Sequence, residues 1–186
     1  MSTSQKQKEN DKKVQLLISE IQSKDEKKIV KALQGLKVHG SAKIIAPLIE
    51  TWNSGISESL EQTIIEFIGD LKQSNTSDPI MECINNKAYV SIRQKLLSTI
   101  WNSKVDYSEY FVDFVRIAVE GDFMEGVECL TILENLEGPF EEYQFLDAQV
   151  ELSLYAEQTN KEPRKQQIIS EIALIVKDLE RQHIAF

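Results

Sequence analysis

Residues 63–71 read Thr63-Ile64-Ile65-Glu66-Phe67-Ile68-Gly69-Asp70-Leu71. Ile64, Ile65, Ile68 and Leu71 stand at the three- and four-residue spacing that puts side chains on one face of an α-helix. The same spacing recurs in Leu33/Leu36, Leu96/Leu97/Ile100 and Val127/Leu130/Leu133. Turn residues separate these stretches: Gly40-Ser41, Asn53-Ser54-Gly55, Ser74 to Asp78, Asn102 to Asp106, Gly121-Asp122 and Gly138-Pro139. They predict an all-α chain of helices roughly 10–18 residues long, joined by short connections.

The apolar positions form columns. Leu17, Leu48, Ile80 and Phe111 are 31, 32 and 31 residues apart. Leu33, Ile65, Leu97 and Leu130 step by 32, 32 and 33, and Leu36, Ile68, Ile100 and Leu133 keep those steps. A unit of two helices is implied, the first carrying the Leu17 column and the second the Leu36 column. A fifth unit fits residues 141–158 and 163–182, where Ile168, Ile169 and Ile172 continue the second-helix columns. One hairpin cannot bury its apolar face alone, whereas stacked hairpins share a core. Asp106 with Glu109 and Asp122 with Glu125 have capping-box spacing, and Asp78 before Pro79 reads as an N-cap followed by a first-turn proline. Pro163 is placed to open the last helix, and Pro47 is expected to cost its helix a hydrogen bond and bend it.

Ile45-Ala46-Pro47-Leu48-Ile49 resembles the proline-bearing first helix of a HEAT repeat. Ile92-Arg93 resembles the pair that opens the second helix, and Ile68-Gly69-Asp70-Leu71 resembles that helix's end. The resemblance spans residues 14–138 and, more loosely, 141–182. It implies a divergent HEAT-like (armadillo-type) family member: a right-handed α-solenoid of about five antiparallel helix pairs. Residues 1–11, rich in Ser, Gln, Lys, Glu and Asn, read as a disordered tail, and 12–186 as one solenoid domain.

The chain has 186 residues, enough to bury roughly 70% of its unfolded surface. Seven Gly and four Pro are about half the usual share, which suits long helices. No apolar residue stands between Met1 and Val14, so the start reads as lacking a signal-peptide core, and no run approaches the ~18 apolar residues of a membrane span. A cytoplasmic protein is expected. On that expectation the glycosylation sequon Asn75-Thr76-Ser77 goes unused.

No catalytic motif is visible: no phosphate-binding loop, GxGxxG, GxSxG or HExxH. His39 reads as a helix-end residue and His183 as part of the C-terminal tail. Cys83 and Cys129, 46 residues apart, match no zinc spacing and read as buried structural thiols. No metal and no cofactor are expected. Trp52 and Trp101 each close a helix, either packing between repeats or serving as binding anchors.

Charge is the uneven feature. Net charge is −9, which argues against a nucleic-acid binder. Residues 1–43 carry +5, 44–104 carry −2, 105–160 carry −13 and 161–186 carry +1. Arg116 is the only basic residue among the fourteen acids of 105–160. Three readings are open: a solvated face, a calcium site at residues 121–126, or an acidic surface for a basic partner. Glu128, Glu134, Glu137, Glu141 and Glu142 are the acids that capping leaves unexplained.

In a solenoid, second-helix positions beside the core columns face a concave groove. These are Lys31, Gln34, Thr63, Glu66, Lys95, Ser98, Asn102, Glu128, Thr131 and Asn135. All of these but Lys31, with Glu134 and Glu137 from the acidic surface, are the expected partner-binding residues. The function expected is that of a non-enzymatic scaffold binding a protein with a basic segment, and neither nucleic acid nor membrane. A HEAT-like DNA glycosylase or small-ligand lyase is the alternative from another class.

Overall fold

A computed structural model of the chain describes residues 3–39, 42–72 and 74–184. Among them it contains ten α-helices, four short 3-10 turns and no strand. The helices are α1 (Thr3–Ile21), α2 (Glu26–His39), α3 (Ile45–Asn53), α4 (Glu58–Gly69), α5 (Ser77–Asn85), α6 (Val90–Leu97), α7 (Phe111–Glu120), α8 (Phe123–Glu134), α9 (Glu142–Glu157) and α10 (Pro163–Ile184). The all-α expectation is met. The expected Gly40-Ser41 break lies outside the described residues. Helix α1 takes in much of the stretch read as a tail. That stretch has no Gly or Pro, and its Gln, Lys and Glu are good helix formers.

Two turns carry neither Gly nor Pro and escape the sequence reading. Asp25 Oδ1 accepts the backbone N–H of Lys27 at 3.1 Å and opens α2. Asn86 Oδ1 accepts that of Ala88 at 2.9 Å and opens the 3-10 turn before α6. Both satisfy amides that a helix start leaves orphaned. The Asp122–Glu125 capping box forms as read, each side chain taking the other's amide at 2.9 Å. The other caps differ. Helix α5 begins at Ser77 with Thr76 as N-cap, so Asp78 lies inside its first turn. Asp106 holds Ser108 N–H at 2.9 Å and fixes a 3-10 turn ahead of α7. Pro47 sits third in α3, where an amide has no intrahelical partner to lose, so it costs no ladder bond.

Leu36, Ile68, Ile100 and Leu133 are all buried. Ile100 nevertheless lies in a turn and not in α6. The Ser98 hydroxyl donates to Lys95 O at 2.8 Å and the Thr99 hydroxyl to Leu96 O at 2.7 Å. Such local bonds compete with the helix ladder, so α6 stops before Ile100 reaches it. In the Leu33 column, Ile65 and Leu130 are only half-buried, as is Leu17 in its own column.

The contacts divide the chain into two compact units. The first comprises Met1–Ile92 with Ser103–Val105. Within it α1 packs on α2 and α3, α2 on α4, and α3 on α4 and α5. Its core includes Ile21, Leu36, Leu48, Ile49, Trp52 and Ile64. Trp52 is thus a packing residue, its Nε1–H donating to Glu61 Oε2 at 2.8 Å. The second unit comprises Arg93–Asn102 with Asp106–Phe186. Within it α7 packs on α8, α9 and α10, and α10 packs on α8 and α9. Phe111, Phe140 and Phe145 form its aromatic centre, with ring centroids 5.0–5.8 Å apart, a favourable tilted geometry. Gly138 leads into it at φ +80°, a conformation in which a side chain would be strained and would crowd the Phe140 ring.

Candidate functional site

The expected partner-binding residues divide between the units. Gln34 on α2 and Glu66 on α4 are exposed in the first unit. Thr63, half-buried, shares a polar face of α4 with Glu58, Ser59, Gln62 and Glu66, and its hydroxyl donates to Ser59 O at 2.9 Å. The remainder lie in the second unit. Lys95 is half-buried and Asn102 exposed. Ser98, Thr131 and Asn135 are partly engaged with their own backbone: Thr131 Oγ1 bonds Val127 O at 3.1 Å and Asn135 Nδ2 bonds Thr131 O at 2.7 Å. Glu128 is half-buried and accepts from Gln94 Nε2 at 2.8 Å. Glu134 and Glu137 are exposed.

Glu141 and Glu142 belong to the start of α9, a correction to the reading that capping leaves them unexplained. Glu141 is the N-cap residue, its N–H donating to Gln144 Oε1 at 2.8 Å, and Glu142 lies in the first turn, where the helix dipole favours a carboxylate. Gln144 in turn donates to Ser108 O at 3.1 Å, tying α9 to the turn before α7.

Glu125 is the one acid of the segment that is buried. Arg93 grips it with two bonds, Nε to Oε1 at 2.6 Å and Nη2 to Oε2 at 2.8 Å. This fork-to-fork pairing holds the guanidinium pKa above its ordinary value. Gly121 makes room for it, since a Cβ there would overlap Glu125 Oε2 and Ile117 O. Nearby, Lys165 Nζ donates to Val119 O at 2.6 Å and Gly121 O at 2.5 Å, capping the carbonyl end of α7. Burial lowers its pKa despite the acids around it. These groups fasten α6, α7, α8 and α10 together.

The cysteines are buried and unpaired. Burial pushes the Cys83 thiol up to about 11, and the Cys129 thiol higher still. Activated nucleophiles shift the other way. His183 lies in the last turn of α10, not in a tail, its ring 5.5 Å from that of Phe145. Among the described residues, no three or more His, Cys, Asp and Glu converge to hold a metal ion. No described helix is long and apolar enough to cross a membrane.

The most unusual surface is on α9. Phe145, Ala148 and Tyr155 bury one face of it. On the opposite face Tyr143, Leu146, Val150 and Leu154 are 59, 54, 57 and 56% exposed. Their spacing of three, four and four makes a continuous stripe along the helix. The helix has four acids, Glu142, Asp147, Glu151 and Glu157, and no basic residue. Beside it, α9 and α10 enclose a shallow groove lined in part by Leu152, Ala156, Ala173 and Val176.

The chain matches no known protein family, no curated protein and no solved structure. The site therefore rests on its own geometry. The sequence reading passes over the α9 stripe, though its signal is present: residues 143–155 place apolar side chains on both faces, leaving no clear polar side.

Proposed function

We propose that the chain is a non-enzymatic protein-binding scaffold of the cytoplasm, a divergent HEAT-like right-handed solenoid of about five helix pairs. It engages a partner with a basic segment, and neither nucleic acid nor membrane. Contacts between alternate helices support the solenoid: α1 with α3, α3 with α5 and α2 with α4 in the first unit, α7 with α9 and α8 with α10 in the second.

The observation that carries the binding reading is the state of the acidic segment. Ten of its fourteen acids are exposed: Asp106, Glu109, Glu120, Asp122, Glu134, Glu137, Glu141, Glu142, Asp147 and Glu157. Its one cation, Arg116, is already engaged, with Glu151 at 2.8 Å and Asp113 at 3.4 Å. Such a field attracts a basic partner and speeds encounter. Glu128, held by Gln94, is better left intact in a test. Replacing Glu134, Glu137 and Glu142 by Lys should strip the captured proteins from an affinity purification while the circular dichroism spectrum stays helical. Retention of the same proteins at the same salt overturns the reading.

A further inference from the structure

We infer that the outward face of α9 is a docking site for a basic amphipathic helix of another protein. This rests on the protein-binding reading and names the class of partner. Tyr143, Leu146, Val150 and Leu154 run for about 17 Å at 1.5 Å per residue, a little over three helical turns. A solvated helix keeps its outer face polar, so an apolar stripe opposite the core face marks a surface that another element covers. An apolar row of this length suits a helix presenting anchors at i, i+3 or i+4, and i+7.

Charge decides among occupants. Glu142, Asp147, Glu151 and Glu157 stand along the helix with no Lys or Arg among its residues. Glu151 is already held by Arg116 at 2.8 Å, so a second copy packing α9 on α9 would bring six unpaired carboxylates together with no cation of that helix to offset them. A lipid surface suits the stripe but not its flanks, since helices that lie on membranes carry Lys and Arg toward anionic headgroups. Nucleic acid is repelled outright. A helix with a Leu/Ile row flanked by Lys and Arg satisfies both the stripe and the carboxylates.

The test uses the full chain and a synthetic helical peptide of about 18 residues with that pattern. Two controls are a scrambled peptide of equal composition and a peptide with Glu in place of Lys and Arg. Fluorescence anisotropy should register binding of the patterned peptide alone. Affinity should fall about tenfold or more from about 0.05 M to about 0.5 M salt, because screening shortens the reach of the carboxylates. The variant Leu146→Ser/Val150→Ser/Leu154→Ser should weaken binding about tenfold or more with its helical spectrum unchanged, since all three side chains are exposed. If the triple variant loses helix, Val150→Ser alone serves, with a smaller loss expected.

Equal binding by the scrambled peptide, or by the stripe variant, overturns the inference. So does flotation of the chain with phosphatidylserine vesicles that the stripe variant abolishes, or a dimer by light scattering that it dissociates. Failure of the peptide to bind, while the Glu134/Glu137/Glu142 variant still loses its cellular partners, overturns the helical occupant and leaves the protein-binding reading standing. Retention of those partners by the glutamate variant overturns that reading itself.

Discussion

The first unit holds thirteen basic and twelve acidic residues; the second holds eight and eighteen. Their net charges are +1 and −10, which together give the −9 of the chain. Exposed large apolar side chains follow the same division. Among the described residues, Leu16 and Val90 belong to the first unit, whereas Trp101, Met124, Tyr143, Leu146, Val150, Leu154, Leu174 and Ile184 belong to the second. The excess of acids and the exposed large apolar side chains thus coincide in the second unit.

The largest effect that can probe this contrast comes from the buried pair of the second unit. Arg93→Met should cost about 3–5 kcal/mol, because it leaves Glu125 charged and buried without its partner. Urea denaturation measures it, and a cost under about 1 kcal/mol would mean water reaches that carboxylate. Ile68→Ala in the first unit and Leu133→Ala in the second should each cost about 2–5 kcal/mol. If the units unfold separately, each change moves its own calorimetric transition; one shared shift would join them into a single cooperative block.

Gly121→Ala should cost about 1–3 kcal/mol, as expected where an added methyl overpacks a closed site. Exposed-face changes belong at the bottom of the scale: Val150→Ser should move stability by no more than about 0.5 kcal/mol, while weakening peptide binding. A pH effect is expected in the first unit. The hydroxyl and amide of Ser57 donate to Glu26 at 2.6 and 2.8 Å and hold its carboxyl below the ordinary range. A lowered folded pKa contributes stability at higher pH and loses it as pH falls through the folded value. Ser57→Ala should therefore flatten the acid limb of a stability–pH profile, and an unchanged limb would remove Glu26 from the account.

The helical class and several boundaries were legible because they depend on local chemistry. Pro163 opens α10, Asp122 caps α8, and Gly121 falls just past the end of α7. The breaks at Asp25 and Asn86 were harder to see, because side-chain carboxylate and amide groups make those turns without Gly or Pro. Ile100 looked helical by period, yet Ser98 and Thr99 draw the backbone into a turn while its side chain stays buried. The expected groove residues follow from one helical register, and Glu134 and Glu137 join them for their charge. A register carries no sign that Glu128 is tied to Gln94, and charge alone carries none that Glu141 starts a helix. The outer face of α9 is hard to read in sequence because its apolar side chains recur on two faces, which blurs the helical period.

The stripe on α9 has a colloidal consequence. While the carboxylates are ionised, molecules repel one another and the exposed Leu and Val side chains seldom meet. Near the isoelectric point, about 4.9, that repulsion vanishes. Turbidity should therefore rise as pH approaches this value, and the Leu146→Ser/Val150→Ser/Leu154→Ser chain should stay clear over a wider range. The acids of the second unit thus act as spacers that keep an adhesive surface dispersed.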